Sequence, residues 1–265
     1  MEKKYELIKD DYIVYKGKTL YRIRALCDVF YKDKVIVKAG GLGGYIEKKL
    51  NLSQKGSSWV YFNAKVYDNA EVYGNARVYG NAHIYNNAKV YGDSEVYDFA
   101  EIYDFAKVYG KAKVYDNAEV YDCAEVYDCA EVCGNTEVYD FAEIYDSAKV
   151  YGHTEVFGSA EVYGHAKVYN SAEVYGNAKV YGNAEVYRHA KVYGFAKVFG
   201  GTEVFGKAKV YNSAEVYSHA KVYGYAKVYG FAKVYDSAEV YGFAKVYGYA
   251  KVYGYAKICD WINDS

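Results

Sequence analysis

The chain has 265 residues, with 33 Lys+Arg against 34 Asp+Glu, 38 Tyr and no proline. Ordinary domains carry about 5 % proline, so the composition is biased by something repetitive. No apolar run approaches the roughly 20 residues that span a bilayer. Residues 1–11 are charged and lack the apolar core of a secretory leader, so a cytoplasmic protein without membrane contact is expected.

In chain order, residues 12–26 predict a β-hairpin turning at Gly17, and residues 34–37 a third strand. Gly40-Gly41-Leu42-Gly43-Gly44 invites a phosphate-loop reading but fails it. Position 46 is Ile, and no Lys-Ser/Thr follows. The run is expected as a flexible turn into Tyr45-Ile46.

From Val60 to Ile258, every position divisible by six is Val or Ile, giving 34 hexads without insertion or deletion. Two residues before each comes Ala, Ser or Thr, and one before comes mostly Lys or Glu. One residue after comes Tyr, with Phe157, Phe199, Phe205, Cys133 and Cys259 as exceptions. Residues two apart on a strand share a face, so Ala and Val point inward while Lys/Glu and Tyr point outward. The following Gly, Asp or Asn tolerates the positive φ that a tight corner needs. Each strand is too short to bury anything alone, so the hexads must stack about 4.8 Å apart.

This pattern resembles the left-handed parallel β-helix of hexapeptide-repeat proteins. The resemblance implies three hexads, or 18 residues, per triangular coil, and so about 11 coils from 34 hexads. The expected fold class is therefore all-β, a left-handed parallel β-helix with a small N-terminal β-rich cap. Residues 1–57 are assigned to the cap and 58–262 to the β-helix, with Trp261 as a lid at the far end. Gly43-Gly44-Tyr45-Ile46-Glu47, followed by Leu52-Ser53-Gln54-Lys55-Gly56-Ser57-Ser58-Trp59-Val60-Tyr61, narrows the likeness. It resembles the entry segment of YdcK-type bacterial and prophage hexapeptide-repeat proteins, some of which carry a transferase label by fold analogy.

Candidate chemistry is thin. The histidines (His83, His153, His165, His189, His219) are expected at solvent-facing corners, with no projecting loop to exclude water from a substrate. The five cysteines, Cys27, Cys123, Cys129, Cys133 and Cys259, lack metal-type spacing and read as reduced thiols. No catalytic residue, cofactor or metal is expected.

Charge and aromatics carry more. Residues 1–59 hold 13 basic and 7 acidic side chains, 60–178 hold 8 and 20, and 179–265 hold 12 and 7. At a period of 18, one outward column reads Lys65, His83, Glu101, Glu119, Glu137, Glu155, Glu173, Lys191, Lys209, Lys227, Lys245. Asp104, Asp122 and Asp140 follow the adjacent corner and join Glu101 in an acidic stripe. Stacked glutamates should repel by a few tenths of a kcal/mol each. Tyr121, Tyr139, Tyr175 and Tyr193 lie beside this column and form broad aromatic ladders of the kind interfaces favour.

Three functions are compatible with these features. The first is a non-catalytic interaction protein that offers its aromatic and charged faces to a protein partner or to itself. The second is a phage-type inhibitor whose acidic stripe mimics nucleic acid for a basic nucleic-acid-binding protein. The third is an acyltransferase on the same scaffold. Direct nucleic-acid binding is not expected. Turned end for end, Glu173 meets Lys191 of a second copy, Glu155 meets Lys209, Glu137 meets Lys227 and Glu119 meets Lys245. An antiparallel homodimer is therefore favoured over the trimer that the acyltransferase resemblance implies.

Overall fold

The computed structural model describes residues 3–259 and the backbone of residues 262–264. The expectation for Trp261 lies outside the described residues. Two compact units divide the chain, residues 1–128 and 129–265. Both are all-β, and among the described residues the one helical turn is the 3-10 turn Lys49–Asn51. No helix among the described residues is long and apolar enough to cross a membrane.

The first unit opens with β1 (Tyr5–Tyr15) and β2 (Lys18–Ala25), paired antiparallel. Lys16 and Gly17 between them have φ of 48° and 76°, the doubly left-handed turn that matches strand twist. A second hairpin joins β3 (Val29–Tyr31) to β4 (Lys34–Val37) through Lys32 and Asp33, again both at positive φ. The sequence reading included only its second strand.

Gly40-to-Gly44 is not a flexible turn throughout. Gly41 leads into β5 (Leu42–Ile46), where Gly43 and Gly44 are buried. A Cβ on Gly43 would stand 2.5 Å from the Ile23 side chain and 2.6 Å from the Val60 carbonyl oxygen. On Gly44 it would stand 2.6 Å from the Ala64 carbonyl oxygen. These glycines let the β2–β5 pair lie directly on the first coil.

From there the chain winds as a parallel β-solenoid. Tyr45-Ile46 pairs with Lys65-Val66, which pairs with His83-Ile84, then Glu101-Ile102, then Glu119-Val120. A second ladder carries Glu71, Lys89, Lys107 and Glu125, with Leu52 bridged to Val72 at its start. A third carries Trp59, Arg77, Glu95 and Lys113. The first two ladders thus begin upstream of Ser58, at Tyr45 and Leu52, and the third begins at Trp59.

The second unit repeats the three-ladder plan. Its first ladder runs Glu137, Glu155, Glu173, Lys191, Lys209, Lys227, Lys245. Ile262–Asp264 then pairs onto Val246–Gly248. The second ladder runs Glu143 to Lys251 and the third Glu131 to Lys257, each in steps of 18. Three-sided coils of 18 residues are consistent with the expected left-handed β-helix.

Ala, Val and Ile of the hexads line the interior of each unit, nearly all without solvent contact. Where Ala is replaced, the hydroxyl turns back to the chain. Ser94 Oγ donates to the Tyr91 carbonyl at 2.8 Å and Thr154 Oγ1 to that of Tyr151 at 2.8 Å. Backbone bonds recur at a spacing of 17, as in Lys65 N–H to Ala82 O (2.9 Å) and Tyr67 N–H to Ile84 O (3.0 Å). A proline at those positions would remove a rung. The corner residue two after each Val sits at positive φ, whether Gly92 (72°), Asp98 (58°) or Asn212 (58°).

Candidate functional site

The outward tyrosines form the stacked ladders expected. Tyr103 and Tyr121 lie 4.9 Å apart, and Tyr139, Phe157, Tyr175 and Tyr193 follow one another at 4.8–4.9 Å, with ring planes within a few degrees of parallel. The ring spacing equals the rung spacing, because the rings ride on paired strands. Each ring covers the face of its neighbour, so edges and hydroxyls remain outward.

Those hydroxyls do something the sequence reading did not include. A tyrosine donates to the glutamate 16 residues later, on the next rung. Tyr85 reaches Glu101 and Tyr103 reaches Glu119, both at 2.9 Å. Tyr109 reaches Glu125 at 2.8 Å and Tyr139 reaches Glu155 at 3.5 Å. The expected repulsion among stacked carboxylates is offset by these donors. The signal was present: a fixed Tyr-to-Glu offset recurs wherever a Glu hexad follows a Tyr hexad.

Lysines of adjoining rungs complete the pattern. Glu125 also accepts from Lys107 at 2.7 Å, and Glu185 accepts from Lys167 at 3.0 Å and Tyr169 at 2.9 Å. Ion pairing raises the Lys107 and Lys167 pKa, first through these carboxylate hydrogen bonds. Burial, and then carboxylate neighbours, raises the Tyr139, Tyr145 and Tyr187 phenols. Tyr139 and Tyr187 reach about 12.

The acidic stripe is split by local roles. Asp104 and Asp140 occupy corners at φ of 55° and 59°. Asp104 accepts from Asn86 Nδ2 at 2.7 Å, and Asp140 accepts from the Gly158 N–H at 3.0 Å. Asp122 has the same corner backbone, φ 54°. In the second unit's first ladder, Phe157 offers no hydroxyl to Glu173. Lys191 of the next rung pairs with Glu173 instead, at 2.7 Å. The reversal of sign is therefore marked by an ion pair within the chain. Beyond it, Lys209 and Lys227 line a cleft of about 590 Å³ with Lys207, Tyr225, Phe243 and Lys245.

His83 corrects the expectation of corner histidines. It stands on a strand, and only 14 % of its side chain is exposed. Tyr15 Oη is 3.2 Å from its Nδ1, Lys65 Nζ is 3.2 Å from its Nε2, and Glu101 Oε1 is 3.6 Å from Nδ1. Lys65 ammonium can only donate, so Nε2 accepts and the ring proton sits on Nδ1, toward Tyr15 and Glu101. The His83 ring and Tyr85 hold the Glu101 carboxyl below its usual range, against the pull of burial. Both ring nitrogens are engaged by side chains of this chain. The cluster ties β1 to the coil face.

Lys4 is the other group missed. Its ammonium is buried against the Ser58 carbonyl (2.8 Å), the Ser58 hydroxyl (3.3 Å) and the Gly56 carbonyl (3.3 Å). Burial lowers its pKa to about 8. Cys27, Cys123 and Cys129 are free thiols, and no group of three or more His, Cys, Asp or Glu among the described residues is placed to hold a metal. No protein-family model matches this chain, and no curated protein matches it.

Proposed function

We propose that this chain is a non-catalytic, cytoplasmic interaction protein, and that one face of the second unit pairs with the same face of a second copy. The observation that carries the reading is the order of charge along the first ladder: Glu137, Glu155, Glu173, then Lys191, Lys209, Lys227. A two-fold axis lying in the interface and parallel to the strands, between the rungs of Glu173 and Lys191, maps each row onto itself in reverse. Glu173 then faces Lys191 of the second copy, Glu155 faces Lys209 and Glu137 faces Lys227, and every pair occurs twice. The aromatic row faces its own copy across the same axis. Exposed ion pairs contribute under about 1 kcal/mol each, so charge sets the register while ring edges supply apolar area.

The test is mass in solution by light scattering or sedimentation. The wild type should be a dimer that weakens with salt. Reversing Lys191, Lys209, Lys227 and Lys245 to Glu should give a monomer with unchanged circular dichroism. A monomeric wild type at high concentration, or a quadruple variant that dimerises as well, would end the reading.

A further inference from the structure

The coils contain a template for holding a carboxylate. In Lys107-Val108-Tyr109, the ammonium and the hydroxyl both donate to Glu125 on the next rung, at 2.7 and 2.8 Å. Lys167-Val168-Tyr169 does the same for Glu185, at 3.0 and 2.9 Å. Arg77 and Tyr79 converge on Glu95 in the same way. Each is a two-donor fork, and the sequence fills it with the chain's own glutamate.

In the lysine run of the second unit the forks persist and the glutamates do not. Lys191-Val192-Tyr193, whose ammonium already pairs with Glu173 of the rung before, is followed on the next rung by Lys209, and Lys209-Val210-Tyr211 by Lys227. Lys227-Val228-Tyr229 is followed by Lys245. Tyr193 and Tyr211 are stacked 4.9 Å apart, as are Tyr211 and Tyr229. Among the described residues, none of these three hydroxyls has a hydrogen-bond acceptor, and neither Lys209 nor Lys227 has a carboxylate partner. Stacked ammonium groups on successive rungs repel one another, so the run gains stability from any acid that neutralises it.

We propose that this run binds an acidic polypeptide segment, each carboxylate held between a tyrosine hydroxyl and a lysine ammonium as Glu125 and Glu185 are held within the chain. The inference deepens the function proposed above and rests on its assignment of this face as the basic half of an interaction surface. Charge complementarity selects the occupant: four lysines and no carboxylate line the cleft. A single-stranded nucleic acid fits less well. It needs open aromatic faces on which bases can stack, and here the ring faces cover one another.

The experiment is a fluorescence titration with labelled poly-glutamate at low salt, with poly-lysine and an oligothymidylate of equal charge as the other arms. The proteins are the wild type, Lys209→Gln/Lys227→Gln, and Tyr193→Phe/Tyr211→Phe/Tyr229→Phe. Poly-glutamate should bind the wild type at protein concentrations below its self-association, and at higher concentrations should compete with Glu137, Glu155 and Glu173 of the second copy for the same lysines. The lysine pair should weaken binding about tenfold and the tyrosine triple about threefold, with neither melting temperature lowered. Poly-lysine should not bind. Equal affinity for the tyrosine triple and the wild type, or tighter binding of the oligothymidylate than of poly-glutamate, overturns the proposal. A fourth protein, Glu137→Gln/Glu155→Gln/Glu173→Gln, keeps the lysine run but cannot self-pair by charge. If it binds poly-glutamate while the wild type proves monomeric, the self-pairing falls and this site stands. If the wild type is dimeric and the fourth protein ignores poly-glutamate, the reverse holds.

Discussion

At the hairpin end of the first unit each contact occurs once. Tyr5 Oη donates to the Leu52 carbonyl at 2.7 Å, its ring meets the buried Trp59 edge-on at 6.2 Å, and Arg22 lies over the Tyr45 ring at 4.4 Å. In the coils of either unit each contact is a copy: Val over Val, Tyr over Tyr, Tyr to Glu. The hairpin end needs particular side chains at particular places. The coils need only the correct residue class at the correct phase, because a lost copy leaves the rungs above and below in register. The two regions should therefore answer mutation differently, except where a change attacks the shared interior.

The largest expected effect is such an attack. Val162 has no solvent contact, whereas its neighbour Tyr163 is half-buried on the outside. Val162→Asp places an unpaired carboxylate in an apolar interior and should cost several kcal/mol. Tyr163→Ser removes one ring from a stack and should cost far less. Equal losses in denaturant titrations would mean that a coil position does not tolerate change by class.

Alkaline pH attacks the copies together. Tyr139 and Tyr211 of the ladders are raised from the usual value of about 10 to about 12, chiefly by burial. A raised folded-state pKa gives stability that is complete below the unfolded value and is lost as pH rises through the folded one. Ion-paired Lys107, Lys167 and Lys221 are raised too and act in the same direction. Lys4, lowered to about 8, acts oppositely and gains stability between about pH 8 and 10. Many copies outweigh one anchor, so stability should fall from about pH 10 to 12. The last part of the phenolate absorbance, from raised rings such as Tyr139 and Tyr211, should rise with unfolding rather than before it. Full phenol ionisation at pH 10 in a folded chain would refute this.

The hairpin end gives a sharper and smaller test. Gly44→Ala drives a methyl to 2.6 Å from the Ala64 carbonyl oxygen and 2.8 Å from Val60 Cγ1. Backbone cannot yield as a flexible side chain does, so a loss of about 3 kcal/mol is expected. Gly242→Asn in a coil corner, φ 64°, where a Cβ meets nothing nearer than 3.6 Å, should cost at most about 1 kcal/mol, since asparagine already fills such a corner at Asn212. The order would be reversed if the corners, rather than the hairpin contact, were the irreplaceable sites. Melting curves of the two variants decide it.

The same contrast explains what was legible in the sequence. Hexad phase, the inward Val and Ala, the positive-φ corners and the tyrosine ladders follow from the pleat and from residue class alone. The hairpin at Gly17 followed from turn chemistry. What escaped was aperiodic: Lys4 under Ser58, His83 under Tyr15, Gly43 and Gly44 as strand rather than turn. Each depends on which segment lands on which rung, and residues about 20 to 70 apart carry no common pattern that announces it. The charge stripe was readable by its period of 18. The hydroxyls that hold it together were not included, because the offset of 16 connects different positions of the hexad.

The smallest expected effect isolates one copy of that offset. Tyr169 and Lys167 both donate to Glu185, and the pair is partly exposed. Tyr169→Phe keeps the ring stack with Tyr151 and Tyr187, each 4.9 Å away, and removes only the hydroxyl. Lys167 still neutralises Glu185, so the loss should be about 0.5 kcal/mol. Tyr211→Phe is the control within the same unit. Its ring is stacked in the same way, its next rung carries Lys227 rather than glutamate, and its removal should cost nothing measurable. A double-mutant cycle with Glu185→Ala separates the two contributions, because the effect of Tyr169→Phe should vanish once the acceptor is gone while that of Tyr211→Phe stays at zero. If Tyr169→Phe and Tyr211→Phe cost the same in the parent chain, the hydroxyl is not what holds the carboxylate. The stack alone would then account for the tyrosines of the coil.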